Sequence, residues 1–374
     1  MAINSIELQN FTVFENIKCA FSSGVNVIIG ANGTGKTHLL KVIYSFCNCK
    51  VVIHDGKVEY TGIFPKIVKN FRVDSFQELH HKTINPANIP AREEVATTIG
   101  NCSRIEEGDR VITEKKPTII AISTELFQKT YTIFFPMIAS EKGVVDYAFR
   151  EQNLSTNPKK TLPAVYIPAK EMLTHGGLEK DFIDRNLPFD TTLIDILNKS
   201  GVSAKKNIDE DLLSIMNKIS EHIGGKVVYK NDKYYIQKEK IGSIEFSVEA
   251  EGHKKLGLIY RLIEAGHIEK GSILIWDEPE ANLNPKLIPI VVDILLRLAR
   301  IGVQIFLATH DYVIAKYFEV RCEPNDNLLF HSLYETDENI KCESSANFRD
   351  LNENPIISSF DALMDEVIER NMGD

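Results

Sequence analysis

A chain of 374 residues is long enough for a sizeable core, as one elaborated domain or as two or three smaller ones. Its 43% hydrophobic and 25% charged residues are those of an ordinary globular protein, and no apolar run approaches the roughly 20 residues that span a bilayer. The 43 Lys and Arg against 52 Asp and Glu leave a formal charge of -9, which argues against a broadly basic nucleic-acid-binding surface but leaves room for a local basic strip.

The first residues, Met1 to Glu7, show no basic region feeding a hydrophobic segment, so a cytoplasmic location without membrane association is expected. Cysteines stand at 19, 47, 49, 102, 322 and 342 without a paired zinc pattern. Cys47-Asn48-Cys49 lacks a two-residue spacer, so the thiols read as buried or incidental in a reducing compartment.

Residues 4 to 11 alternate apolar and polar, which suits an edge or half-buried strand. Val25 to Ile29 is a short apolar run that ends at Gly30. From Lys36 onward Leu39, Leu40, Ile43 and Phe46 recur at helical spacing, so the order is strand, glycine loop, helix. Strands are expected at 58 to 63 and 118 to 123, with a polar, mobile loop around 91 to 116. Ala164 to Ile167 is a buried strand stopped by Pro168. Leu212, Ile215, Met216, Ile219 and Ile223 fall on one face of a helix over 209 to 223, and 227 to 236 reads as a hairpin. Helices over 253 to 264 and 286 to 300 alternate with apolar strands at 272 to 276 and 303 to 308, the pattern of a sheet covered on both faces. Phe360, Leu363, Met364, Val367 and Ile368 mark a final amphipathic helix, expected to pack on its own domain, with partner binding as the other reading.

The segment Gly30-Ala31-Asn32-Gly33-Thr34-Gly35-Lys36-Thr37 carries the sharpest chemistry. A phosphate chain needs many donors close together. The glycines let the backbone turn and aim N-H groups inward, and the following helix offers its positive end. Lys36 is expected to reach the β and γ phosphates of ATP, and the Thr37 hydroxyl to ligate Mg²⁺. Asp277 and Glu278 close a buried strand and supply the complementary carboxylates. Asp277 suits the metal or its waters, and Glu278 suits the base that activates the attacking water. The alternative for that pair is a solvated strand end. His310 follows another buried strand, as a γ-phosphate sensor or a structural histidine.

Together these residues resemble the ATP-binding-cassette ATPases, in the SMC-like and overcoming-lysogenisation-like branch. Asp277-Glu278-Pro279-Glu280 is similar to that family's strand end, Ala281-Asn282-Leu283-Asn284-Pro285 to its dimer-contact loop, and Thr309-His310-Asp311 to its switch histidine. The resemblance implies an α/β P-loop fold with a mixed sheet and an inserted helical lobe, divided as 1-170, 171-245 and 246-374. It also implies catalytic roles for Lys36, Glu278 and His310. In the family two heads sandwich ATP, each closing a serine-glycine-glycine segment over the other's nucleotide. The matching residues here are Ala250, Gly252 and Lys254. Ala250 lacks the serine hydroxyl and Glu251 replaces the first glycine, which implies slow turnover or a site remodelled by His253 and Lys254. Where relatives carry a glutamine, Lys170 or Glu171 is either a nucleotide sensor or a solvated charge.

No heptads of a long coiled-coil arm are visible, and a nuclease fused after the ATPase region is not expected. The resemblance therefore implies a compact ATPase switch in prokaryotic anti-phage defence, a homodimer or an assembly of dimers beside a separately encoded effector. A DNA-repair or DNA-end-binding ATPase is the alternative. It would use Lys66, Lys69 and Arg72, or Lys226, Lys230, Lys233, Lys238 and Lys240, as phosphate-binding strips. A non-enzymatic ATP-dependent scaffold is a third reading, kept open by Ala250.

Overall fold

The apolar runs at 25, 273 and 304 lie side by side in one sheet. The computed structural model describes residues 2–47, 50–54, 57–61, 67, 69–72, 110–111, 118–124, 128–134, 138–140, 143–145, 148–153, 162–178, 182, 189–336 and 339–372. In chain order the principal elements are β1 (Ile3–Phe11), β2 (Phe14–Ala20), β3 (Val25–Gly30), α1 (Lys36–Phe46), β4 (Thr118–Thr124), β5 (Gln128–Phe134), β6 (Ala148–Asn153) and β7 (Ala164–Ile167). There follow α2 (Thr191–Ser200), α3 (Glu210–Ile223), β8 (Lys226–Lys230), β9 (Lys233–Lys238), β10 (Gly242–Glu245) and α4 (Glu251–Glu264). The last are β11 (Ile273–Asp277), α5 (Ile288–Ile301), β12 (Gln304–Thr309), α6 (Tyr312–Arg321), β13 (Leu328–Thr336), β14 (Asn339–Ser345) and α7 (Pro355–Met372).

The central sheet runs β7-β11-β12-β3-β13-β14, parallel through β13 and closed by an antiparallel β14. β3, β7, β11 and β12 are buried throughout because both faces of this part of the sheet are covered. Val25, Val27 and Ile29 point into one core with α3, α4 and α5, whereas Ile28, Ile275 and Phe306 point into another with α1 and the antiparallel sheet. That second sheet has the order β6-β5-β4-β1-β2. β1 is half-buried as its alternation predicts, but it lies between β4 and β2 and so is not an edge strand.

Between the paired strands β7 and β11 the chain inserts α2, α3 and the small sheet β8-β9-β10. Leu212, Ile215, Met216, Ile219 and Ile223 of α3 are all buried, as their spacing predicts. Asp209 caps this helix by accepting from the Asp211 amide at 3.0 Å. Each such aliphatic side chain contributes roughly 1.5 to 3 kcal/mol on burial. Short strands at Lys50–His54 and Lys57–Thr61 also pair, where a strand was expected from 58 to 63. Of the loop expected over 91 to 116, Arg110–Val111 is a short strand and the rest lies outside the described residues.

The C-terminal helix corrects one expectation. Ile356 in the first turn of α7 is buried and Tyr312 stacks on Phe360 with ring centroids 4.4 Å apart, but Leu363, Met364, Val367 and Ile368 are exposed. The helix is anchored at its start and then projects, because amphipathic spacing reports an apolar face and not what covers it. Among the described residues no helix is long and apolar enough to cross a membrane. Cys19 and Cys47 are buried free thiols, and Cys322 and Cys342 are free and half-buried. Cys49 lies outside the described residues, as does Cys102.

Candidate active site

The glycine loop joins β3 to α1 as the sequence predicts. Gly35, at φ 87°, sits immediately before α1 in a left-handed conformation. A Cβ there would fall 2.5 Å from Phe14 Cζ and 2.6 Å from Val13 Cγ2, so side chains are excluded by backbone and by space. The first turn of α1 itself contains no acidic residue. Ala31, Asn32 and Gly33 form the exposed tip, and Thr34 Oγ1 closes the loop by donating to the Ala31 carbonyl at 2.9 Å. Lys36 is buried and donates from Nζ to the carbonyls of Gly30 at 2.7 Å and Ala31 at 2.9 Å. Burial pushes its pKa down, against the raising field of Glu278, Asp277 and Glu280.

Asp277, at the end of β11, meets the start of α1. Its Oδ2 accepts from Thr37 Oγ1 at 2.8 Å and from the Tyr166 hydroxyl of β7 at 3.2 Å. Burial raises the Asp277 pKa, although both hydrogen bonds favour its ionised form. Burial also raises the Tyr166 phenol well above its usual range, with Asp277 adding to the effect.

The register Asp277↔Ala308 sets the next residues of β11 and β12 beside each other. The Glu278 carboxylate lies 3.3 Å from His310 Nδ1, with both side chains open to water. Glu278 adopts φ 48°, a left-handed conformation uncommon for a non-glycine residue, while its N-H still bonds the Ala308 carbonyl at 3.0 Å. Glu280 supports the histidine from below: its Oε1 accepts from Thr309 Oγ1 at 2.5 Å and from the His310 amide at 3.4 Å. Its Oε2 is buried without a partner, and burial raises its pKa.

Lys36, Thr37, Asp277, Glu278 and His310 thus converge on one mouth, and the donor set fits the groups it was expected to hold. Among the described residues the hydrogen bonds of the buried Lys36 ammonium go to backbone carbonyls, and α1 begins directly after the loop, both suited to phosphates. The oxygens of Thr37 and Asp277 are hard ligands of the kind Mg²⁺ takes alongside phosphate oxygens and water.

Ala250, Gly252 and Lys254 form a separate segment opening α4, and their described polar contacts do not reach the phosphate loop. Lys254 pairs with Glu251 at 2.7 Å, and His253 Nδ1 lies 3.0 Å from Glu249, which also binds Lys238 at 2.7 Å. Gly252 packs closely on the Leu287 side chain, whose Cδ1 a Cβ there would approach to 2.3 Å and displace. Glu171 is occupied as a turn cap, accepting from the amides of Leu173 at 2.5 Å and Thr174 at 3.2 Å, and Lys170 is exposed. Of the basic strips, Lys69 and Arg72 are exposed and Lys66 lies outside the described residues. Lys233 pairs with Glu245 at 3.0 Å, so ion pairs engage it and Lys238 in the second strip.

Three contributors escaped the sequence reading. Tyr166 carries a polar tip in an otherwise apolar strand, a signal that its hydroxyl needs a partner. Glu280 follows the recognised carboxylates. Lys255 is a buried cation within α4, donating to the carbonyls of Glu278 at 3.3 Å and Pro279 at 3.2 Å.

A parallel sheet with a phosphate loop at one strand end and Asp-Glu and His at the neighbouring ends defines a P-loop ATPase of the ATP-binding-cassette type. The chain belongs to the family described as "AAA domain, putative AbiEii toxin, Type IV TA system", whose model matches residues 128–315, and a second AAA-domain model matches residues 5–47. The fold is similar to an Smc head solved with the C-terminal winged-helix domain of ScpA, at TM-score 0.53 and 12% identity, covering 92% of this chain and 98% of that one. It is also similar to a Pyrococcus furiosus Smc head with an extended coiled coil bound to the C-terminal domain of ScpA, at TM-score 0.51 and 12% identity, covering 98% of this chain and 99% of that one. In sequence, 83 residues are 32% identical to the DNA replication and repair protein RecF of Cytophaga hutchinsonii, covering 20% of this chain and 22% of that one. RecF of Bacillus cytotoxicus is 42% identical over 50 residues, 13% of each chain. The chain therefore spans less than a quarter of the length of these relatives.

Proposed function

We propose that this ATPase is a nucleotide-gated switch in prokaryotic anti-phage defence, in which ATP holds two copies head to head and hydrolysis lets them part. The observation that carries it is the Glu278–His310 contact of 3.3 Å beside the Thr37–Asp277 pair, a base and its orienting partner at the mouth of a phosphate loop. Lys36 and the loop amides hold the phosphates, and Thr37 and Asp277 hold Mg²⁺, which supplies charge neutralisation when bound. Glu278 takes a proton from water in line with the γ phosphate. His310 holds the Glu278 carboxylate and senses the phosphate. The Ala250–Lys254 segment of the second copy closes the site, and the chain divides into the two parts of the ATPase domain, 1-170 and 246-374, with an inserted helical lobe at 171-245. A separately encoded effector reads the state of the assembly, a reading supported by Smc heads having been solved with a second protein.

The test is Glu278→Gln, followed by ATP turnover and by mass in solution with ATP. Turnover is expected to fall by on the order of 100-fold or more, with ATP retained and the doubled mass persisting. A folded variant that still turns over ATP, or that neither retains ATP nor changes its association, overturns the switch.

The RecF similarity favours a second reading, DNA-end binding. The exposed Lys69 and Arg72 support it, whereas the net charge of -9 and the ion-paired Lys233 and Lys238 weigh against it. Duplex binding that weakens steeply with salt and is lost on charge reversal at Lys69 and Arg72 would establish it.

A further inference from the structure

Lys255 stands where α4 crosses behind the catalytic strand end. Its side chain is 5% exposed, and its ammonium forms no ion pair with a described carboxylate. It donates instead to two consecutive backbone carbonyls, Glu278 O at 3.3 Å and Pro279 O at 3.2 Å. A buried cation is costly unless its donors are satisfied, so this contact is specific and not a chance surface approach. Burial brings its pKa down to about 8, against the fields of Glu280, Glu251, Glu278 and Glu171.

The same helix holds the same loop at a second point. Gly252 packs so closely that its missing Cβ would lie 2.3 Å from Leu287 Cδ1 and 3.4 Å from Leu283 Cδ2. The held turn is itself tight. The Glu278 carbonyl also accepts from the Ala281 amide at 3.1 Å, and Glu278 and Asn282 have φ of 48° and 60°. Displacing the first turn of α4 therefore drags the peptide that aims the Glu278 carboxylate.

We propose that Lys255 is a positioning residue that couples closure of the Ala250–Lys254 segment on a second molecule to the setting of the Glu278 carboxylate in its own active site. This rests on the head-to-head reading given above. It adds that the two sites are linked: engagement of one head's α4 by the other's nucleotide sets the base of the first.

The experiment compares wild type, Lys255→Met, Lys255→Arg and Lys255→Gln as full chains in steady-state ATP turnover over a range of protein concentrations. Lys255→Met is expected to lower kcat by about 10- to 100-fold while KM for ATP stays within about threefold, the signature of a lost transition-state arrangement. Lys255→Arg, which retains charge and several donors, should recover most of the rate, and Lys255→Gln, with an uncharged amide carrying two N–H donors, should fall between. The rise of specific activity with protein concentration should flatten in Lys255→Met. If Lys255→Met does not fold, Lys255→Gln serves the same comparison against Lys255→Arg. Unchanged kcat in a folded Met or Gln variant, or equal losses in Arg and Met, overturns the proposal. Should Glu278→Gln abolish turnover while Lys255→Met does not, only the coupling fails. Should Glu278→Gln leave turnover intact, the reading of the site itself fails.

Discussion

The hydroxyl of Thr37 donates to Oδ2 of Asp277 across 2.8 Å, joining residues 240 positions apart at the point where the phosphate loop meets β11. Both oxygens belong to the expected Mg²⁺ site, where they would serve as hard ligands to the ion or its waters. Thr37→Ala and Asp277→Asn should each reduce Mg²⁺-dependent turnover by on the order of 100-fold, about 3 kcal/mol of activation energy. Titrating Mg²⁺ at saturating ATP checks this. Tyr166→Phe removes only a neutral donor at 3.2 Å and should cost no more than about tenfold.

His310→Ala removes the group 3.3 Å from the Glu278 carboxylate without touching the loop that holds phosphate. Single-turnover hydrolysis should slow by roughly 100-fold while ATP affinity changes by less than about threefold. Parallel loss of affinity would show that His310 serves binding and not the chemical step.

Glu280 carries a pH signature. Its folded pKa is raised by burial, so in the interval above the unfolded value the folded state binds more protons than the unfolded one. Its contribution to stability is therefore fully present below the unfolded carboxylate range and is lost as pH rises through the folded pKa. Glu280→Gln keeps an acceptor for Thr309 and removes the buried charge, so it should be more stable than wild type near neutrality by about 1 kcal/mol. The difference should vanish on acidification. Chemical denaturation at several pH values measures it, and a gap that widens toward low pH would reverse the assignment.

Ala250 begins α4 without a side-chain cap. Ala250→Ser adds a hydroxyl that caps the helix, worth about 1 kcal/mol, and restores the donor that the family's closing segment uses. If the segment closes over a second molecule's ATP, turnover and ATP-dependent association should both rise. A gain in stability alone would leave Ala250 a helix-capping position and nothing more.

What could be read from the sequence was chemistry held in contiguous residues. The strand, loop and helix around Gly30–Thr37, the Asp277-Glu278 pair and His310 each sit in one short stretch, and their neighbourhood follows from parallel pairing at strand ends. Tyr166 and Lys255 were invisible as functional groups because each acts through a contact made only in the folded state, on Asp277 and on the carbonyls of Glu278 and Pro279. The position of β1 inside its sheet and the exposure of α7 were missed for a related reason. Alternation and helical spacing identify an apolar face, but the identity of its neighbour is a tertiary fact.

The place of β3 in the central sheet has a consequence for how the protein is made. The strand that carries the phosphate loop is made well before its hydrogen-bonding neighbours, Gln304–Thr309 and Leu328–Thr336. At a synthesis rate of about 5 to 20 residues per second, it waits roughly 15 to 60 s for partners. The phosphate loop is therefore held in its final place only once those two later strands have joined β3 in the sheet.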